Sequence, residues 1–367
     1  MRTIQGARAS WLVGALGACL LIAGAARADI ATERPGSILI FPKVVRDGTR
    51  TTGIQISNTG NMVNYVRCFY VDSACEETDF ELALTKQQPT VWDVSEGRHV
   101  YPFEPFGFYG SGLDPGLIPP APLGFTGALV CVEVNADGVP VAQNKLKGEA
   151  SIFGATASVF SRYNAIAITS GNGPNVAPTN KLDLNGSEYA QCPDTNQLNF
   201  IPDGGNDPVI EQIGNGGRCQ NEAPGAGCND SSQCLPGDAC ITGLSSVVTN
   251  LTFLPCNLDI QNALASKVTL DIQVRDEFEV LHSGGTTFSC WTSFSIGAIP
   301  AMRSTLLTGG EISTEFATAQ IRSTSGGPVV GIAEVFHSDA IGNTASAAEN
   351  LHMIGIGPNA TIRIADQ

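Results

Sequence analysis

Gly127-Ala128-Leu129-Val130-Cys131-Val132-Glu133-Val134 is an unbroken apolar run, rich in Val, with one acid near its end. Eight residues is strand length, and the turn formers Asn135-Ala136-Asp137-Gly138 close the run at once. Its β-branched residues suit a strand. Two hundred residues on, Gly327-Pro328-Val329-Val330-Gly331-Ile332-Ala333-Glu334-Val335 matches it, with one extra residue late in the strand.

Other matches keep the same order. Ile40-Phe41-Pro42 is echoed by Phe253-Leu254-Pro255, and Ile54-Gln55-Ile56 by Leu270 to Val274. Trp92 is echoed by Trp291, and Ala142 to Leu146 by Ala348 to Leu351. Two readings stand: an internal duplication, or two sets of strands that resemble each other because all sandwich strands share one pattern. Between the echoes, residues 171–243 are dominated by Gly, Pro, Asn, Asp and Ser and hold too little apolar content for a core of their own. The expected fold is therefore all-β: two tandem immunoglobulin-like sandwiches over 29–170 and 244–367, joined by an irregular, disulfide-stapled connector over 171–243. Composition agrees, with 41 Gly, 21 Pro and only 15% charged residues.

Residues 1–28 read as a secretory leader. Arg2 and Arg8 precede the apolar run Trp11 to Gly24, and Ala26-Arg27-Ala28 has the small-x-small form of a cleavage site. That run is shorter than the roughly 20 residues of a membrane span, and the mature chain holds no span. Leu16-Gly17-Ala18-Cys19 also matches a lipobox, so a lipoprotein anchored through Cys19 is the minority alternative to a soluble periplasmic, cell-surface or extracellular protein. The net charge of -15 becomes more negative still once the three leader arginines are gone, which disfavours nucleic acid as a partner.

Export changes how the cysteines read. Beyond Cys19 there are ten: Cys68, Cys75, Cys131, Cys192, Cys219, Cys228, Cys234, Cys240, Cys256 and Cys290. An even number in an exported chain implies up to five disulfides. Cys219 to Cys240 should pair within itself, in one of three connectivities. Elsewhere the expected pairs are Cys68–Cys75 around a hairpin, Cys131–Cys192 and Cys256–Cys290. The stretch Cys228 to Cys240 resembles the small disulfide micro-modules of many exported proteins. As a whole, the chain resembles exported β-sandwich proteins of Gram-negative bacteria with no assigned role. The resemblance implies a fold and a compartment, not an activity.

Chemistry-bearing patterns are scarce. The sequence holds no His-Glu-x-x-His, Gly-x-Ser-x-Gly, Walker loop or dinucleotide fingerprint. Glu334 and His337 are the nearest acid–histidine pair in a strand, but residues three apart point to opposite faces. Asn135 to Gly138 and Asp203-Gly204-Gly205-Asn206-Asp207 offer oxygens without the spacing of a calcium loop, so no cofactor is expected. One candidate contact loop stands out: Tyr101, Phe103, Phe106, Phe108 and Tyr109 crowd nine residues beside two prolines. Exposed rings of this kind suit a protein or carbohydrate partner, and folded back they would cover a sandwich edge. The expected function is a non-catalytic exported protein that binds, adheres or builds. The alternative is an exported hydrolase whose site is assembled from loops, for example from Glu104 and Asp137.

Overall fold

A computed structural model describes residues 29–99, 114–154, 159–171, 180–212, 216–221, 227–264 and 266–364. The chain is all-β. Its first part forms one ten-stranded sheet from β1 (Ile30–Ala31), β2 (Ile38–Arg46), β3 (Thr51–Asn58), β4 (Asn64–Asp72), β5 (Glu77–Leu84), β6 (Pro89–Asp93), β7 (Phe125–Val134), β8 (Leu146–Phe153), β9 (Phe160–Asn164) and β10 (Ile166–Ile168). β2 and β3 pair only at Arg46 and Thr51, and the sheet folds over there into two layers. One layer runs β5-β4-β7-β2-β10; the other runs β6-β3-β8-β9. Leu39, Phe41, Ile54, Ile56, Trp92, Leu129 and Ile152 fill the core between them.

The stretch expected to be an irregular connector is only partly so. It supplies β11 (Lys181–Leu184) and β12 (Thr195–Phe200), then the short helix α1 (Pro208–Gln212). In β12 the alternation is carried by only Leu198 and Phe200 among polar neighbours, which is why it reads as loop from composition. The cysteine module follows, as β13 (Gly217–Cys219), β14 (Gly227–Cys228) and β15 (Cys240–Ile241), a three-stranded sheet of its own.

The last part contains β16 (Ser246–Pro255), β17 (Leu258–Asp259), β18 (Lys267–Asp276), β19 (Leu281–Ser289), β20 (Thr292–Ser295), β21 (Ala317–Ser325), β22 (Val329–Ser338), β23 (Thr344–Asn350), β24 (His352–Ile354) and β25 (Ala360–Arg363). They form the sheets β20-β16-β22-β23 and β19-β18-β21-β12-β24, while β25 pairs with β11 and β17. Leu251, Phe253, Leu270, Ile272 and Ile321 belong to the core between the first two.

The two parts are not beads on a connector. Ile38, Ile40, Phe69, Val130 and Val132 share one core with Leu254, Leu258, Val330 and Ile362 of the other part. β7 and β2 are therefore buried on both faces, and this explains their continuous apolar runs. The echoes find a partial counterpart in space. β2 pairs antiparallel with β7, and β16 pairs antiparallel with β22. Beyond that central pair the connections diverge: β8 crosses to the other layer and pairs with β3, whereas β23 turns back onto β22. Trp92 lies inside the first core, but Trp291 lies in the shared one.

Among the described residues every cysteine is bridged, as Cys68–Cys131, Cys75–Cys290, Cys192–Cys256, Cys219–Cys234 and Cys228–Cys240. The module closes on itself as expected. The expected Cys68–Cys75, Cys131–Cys192 and Cys256–Cys290 pairs are corrected. Cys68 sits mid-strand directly opposite Cys131, with Cα atoms 4.0 Å apart. The strand continues to Asp72 before Cys75 is reached, and four extended residues already span about 13 Å, beyond the roughly 7 Å a disulfide tolerates. No helix among the described residues is long and apolar enough to cross a membrane.

Candidate functional site

Among the described residues, polar or exposed groups gather at a buried joint between the two parts, on the outward face of the β6-β3-β8-β9 layer, and in a cleft at one end of that face.

The joint begins with a bulge. In the β2–β7 ladder the register slips between Phe41 and Val44, so Pro42 and Lys43 together oppose one residue. A bulge frees backbone groups, and buried ones need partners. Trp291 Nε1 donates to the Pro42 carbonyl at 2.7 Å. The Lys43 amide donates to the Tyr163 hydroxyl at 3.2 Å, and that hydroxyl donates back to the Lys43 carbonyl. The bulge aims the Lys43 side chain out of the first part. Its ammonium meets Glu334 Oε2 at 2.6 Å, with Lys43 and Glu334 both almost wholly buried. Arg50 Nη1 reaches the same oxygen at 3.4 Å, and Ser161 Oγ donates to Oε1 at 3.0 Å. Burial pulls the Lys43 pKa below its ordinary value, and the Glu334 carboxylate opposes that pull. Cys75–Cys290 closes the same seam covalently, next to Trp291.

Glu334 and His337 diverge as their spacing requires. Glu334 points into the joint, while His337 Nδ1 bonds Asp207 Oδ2. Asp207 Oδ1 also accepts from the Val209 amide at 3.0 Å, so this carboxylate ties the start of α1 to β22. His282 lies between two acids, with Nε2 at 3.6 Å from Asp276 and Nδ1 at 3.4 Å from Glu311. Different nitrogens face the two carboxylates, so the three do not converge on one ion. His99 and His352 are exposed. Asn135 Oδ1 accepts from the amides of Asp137 and Val139, which makes 135–139 a hydrogen-bonded turn. The sulfurs of Cys219, Cys228 and Cys234 lie within 4.8 Å of one another, but all three are in disulfides and offer no thiolate.

Tyr101, Phe103, Phe106, Phe108 and Tyr109 lie outside the described residues, as does Glu104. The flanks of that stretch are described. Arg98 and Ile118 exchange two backbone hydrogen bonds of 2.9 Å, and Arg98 Nη1 lies 2.5 Å from Asp114 Oδ1. Beside this clamp is a cleft of about 410 Å³, lined by Gln55, Thr90, Val91, Arg98 and Pro115 among others.

The cleft opens onto the outer face of the layer. Strict alternation sends Ile54, Ile56, Trp92, Ala150, Ile152 and Tyr163 inward and leaves Gln55, Val91, Ser151, Phe153 and Arg162 outside. Phe153 and Phe160 face each other across the β8–β9 ladder, with ring centroids 5.3 Å apart. Arg162 forms an ion pair with Glu149 on the neighbouring strand.

Sequence reasoning missed both the joint and this face. A charged residue inside an apolar run was the available signal for the joint: Glu334 in 327–335 and Lys43 in 38–45. For the face, the signal was Phe153 and Phe160 at outward positions of alternating strands.

No family model matches this chain, and no curated protein matches it. Among solved structures, the apo form of Pleurotus ostreatus lectin is similar at 8% identity and a TM-score of 0.16, over 93% of this chain and 80% of that one. The lectin from Pleurotus ostreatus in complex with GalNAc is similar at 10% identity and a TM-score of 0.12, over 89% and 78%. Likeness at these scores carries no argument about fold or function.

Proposed function

We propose that this chain is an exported, non-catalytic β-protein that serves as a binding, adhesion or structural unit of a bacterial cell envelope or the space outside it. The observation that carries the reading is the set of five disulfides. Such staples persist in an oxidising compartment and are rare in the cytosol. They are placed for rigidity. One crosses between adjacent strands, one joins the two parts, one ties β16 to the segment before β12, and two hold a module too small for a core. The buried polar groups of the joint bond to one another. A rigid scaffold that presents loops and a sheet face suits a binding unit.

The test is fractionation of producing cells, with mass spectrometry of the protein recovered. The reading expects a mature N-terminus at Asp29, a location outside the cytoplasm and five intact bridges in a non-reducing peptide map. A diacylated Cys19 would make it the anchored form of the same unit. Reduced thiols in a cytoplasmic fraction would overturn export. Turnover of ester, peptide or glycoside substrates by the purified protein would replace the reading with the hydrolase.

A further inference from the structure

We propose that the outward face of the β6-β3-β8-β9 layer is a platform for an extended, neutral polysaccharide. The inference deepens the binding reading and rests on it.

The centre of the face is an aromatic surface held in place by a missing side chain. Gly53 pairs with Ser151, and Thr51, two residues back along β3, pairs with Phe153. A Cβ on Gly53 would stand 3.0 Å from Phe153 Cε2, so the ring lies against the sheet where any larger residue would push it away. Its far side stays open: Phe153 and Phe160 are each 42% exposed. Two adjacent rings stand partly in water on this sheet face, with Val91, 65% exposed, the further large apolar side chain on it. A flat ring with one open face suits the apolar C–H face of a pyranose.

Hydrogen-bonding groups flank the rings in register. Gly53 pairs with Asp93 on one side and Ser151 on the other, and Ser151 pairs with Arg162. The row is thus a carboxylate whose Oδ1 already accepts from Thr51 and Ser95, a glycine, a hydroxyl and a guanidinium paired with Glu149, with neighbouring strands about 4.8 Å apart. The Ser151 hydroxyl and the guanidinium N–H groups beyond the one bonded to Glu149 are of the kind that sugar hydroxyls satisfy. One step further along β3, Gln55 leads into the cleft, whose volume of about 410 Å³ falls within the range for small-ligand sites. The platform therefore has an open end at the rings and a concave end at Arg98.

Charge selects the class. The face carries both signs, with Arg162 paired to Glu149, on a chain of net charge -15. An anionic polymer would meet the overall repulsion, and a neutral glycan would not. A protein partner would want a continuous apolar centre, and here the two rings and Val91 are set apart by Gln55 and Asp93.

The test is affinity electrophoresis of the full, oxidised protein in gels containing soluble neutral polysaccharides: hydroxyethylcellulose, laminarin, galactomannan, xyloglucan and glycogen. Retardation by at least one is expected, weakened at least tenfold by Phe153→Ala and by Arg162→Ala. Both side chains are partly exposed, so the variants should keep the wild-type unfolding midpoint; Gln320→Ala, exposed on β21 and off this layer, should bind as wild type. Retardation by none of the five overturns the glycan platform, as does retardation that both variants retain. If the variants instead abolish cross-linking to a protein partner, the glycan platform is overturned while the binding reading stands. The fractionation above decides export separately.

Discussion

Glu133 and Glu334 stand at matching places in the two echoing strands, both fully buried, yet they are satisfied in opposite ways. Glu133 stays within its own part. It accepts from the Gln143, Asn144 and Lys145 amides at 2.7, 3.0 and 2.7 Å and from Asn64 Nδ2 at 2.9 Å. Those donors are neutral, and burial still pushes its pKa up despite them. Glu334 reaches across to cations of the other part, Lys43 and Arg50. One glutamate shapes a loop; the other locks two regions into one body. Similar strands have been put to different structural use, and the difference lies in what each carboxylate can reach.

The sharpest way to break this contrast is Lys43→Met. It leaves the Glu334 charge buried with only the more distant Arg50, and removing one partner of a buried pair costs about 3–5 kcal/mol. Urea unfolding should show that loss. The double variant Lys43→Met with Glu334→Leu should recover most of it, since a well-packed apolar pair is often as stable as a buried ion pair. A double variant as unstable as the single one would mean that the joint depends on charge and not on packing.

Second in size is the staple beside it. Cys75→Ala with Cys290→Ala should cost about 2–4 kcal/mol, read by thermal unfolding, with the other four bridges intact in a peptide map.

Glu133→Gln should cost less, about 1–3 kcal/mol, because its donors lose part of an acceptor but no ion is stranded. Its pH dependence has a definite sign. Burial raises the folded-state pKa, so the folded carboxyl holds its proton more tightly than the unfolded one. That contribution is fully present below the ordinary glutamate value of about 4.3 and is lost as pH rises from there through the raised folded value. The stability deficit of Glu133→Gln against wild type should therefore be smaller at pH 6.5 than at pH 4. Smallest of all, Phe153→Ala should change stability by no more than about 0.5 kcal/mol, as exposed substitutions usually do. A larger loss would make that ring a core residue and not a presented one.

Strand character was legible where two-residue alternation or an unbroken apolar run is strong, as in Thr51–Asn58 and Phe125–Val134. It was illegible in Thr195–Phe200, where the buried face is only two apolar side chains wide. The sharing of a core was hidden because a strand covered by its own domain and one covered by another carry the same apolar run. Cysteine pairing within 219–240 follows from proximity along the chain; Cys75–Cys290, separated by 215 residues, follows only from the fold. The joint was half visible, as a lysine and a glutamate within apolar runs, but nothing in one sequence says that these two meet.

The central claim is that the two parts unfold as one body, since they share a core, an ion pair and a disulfide. Differential scanning calorimetry of the oxidised protein tests it most directly. One main transition, with calorimetric and van 't Hoff enthalpies equal, is the predicted result. Two resolved transitions of comparable enthalpy would contradict it and restore two independent sandwiches.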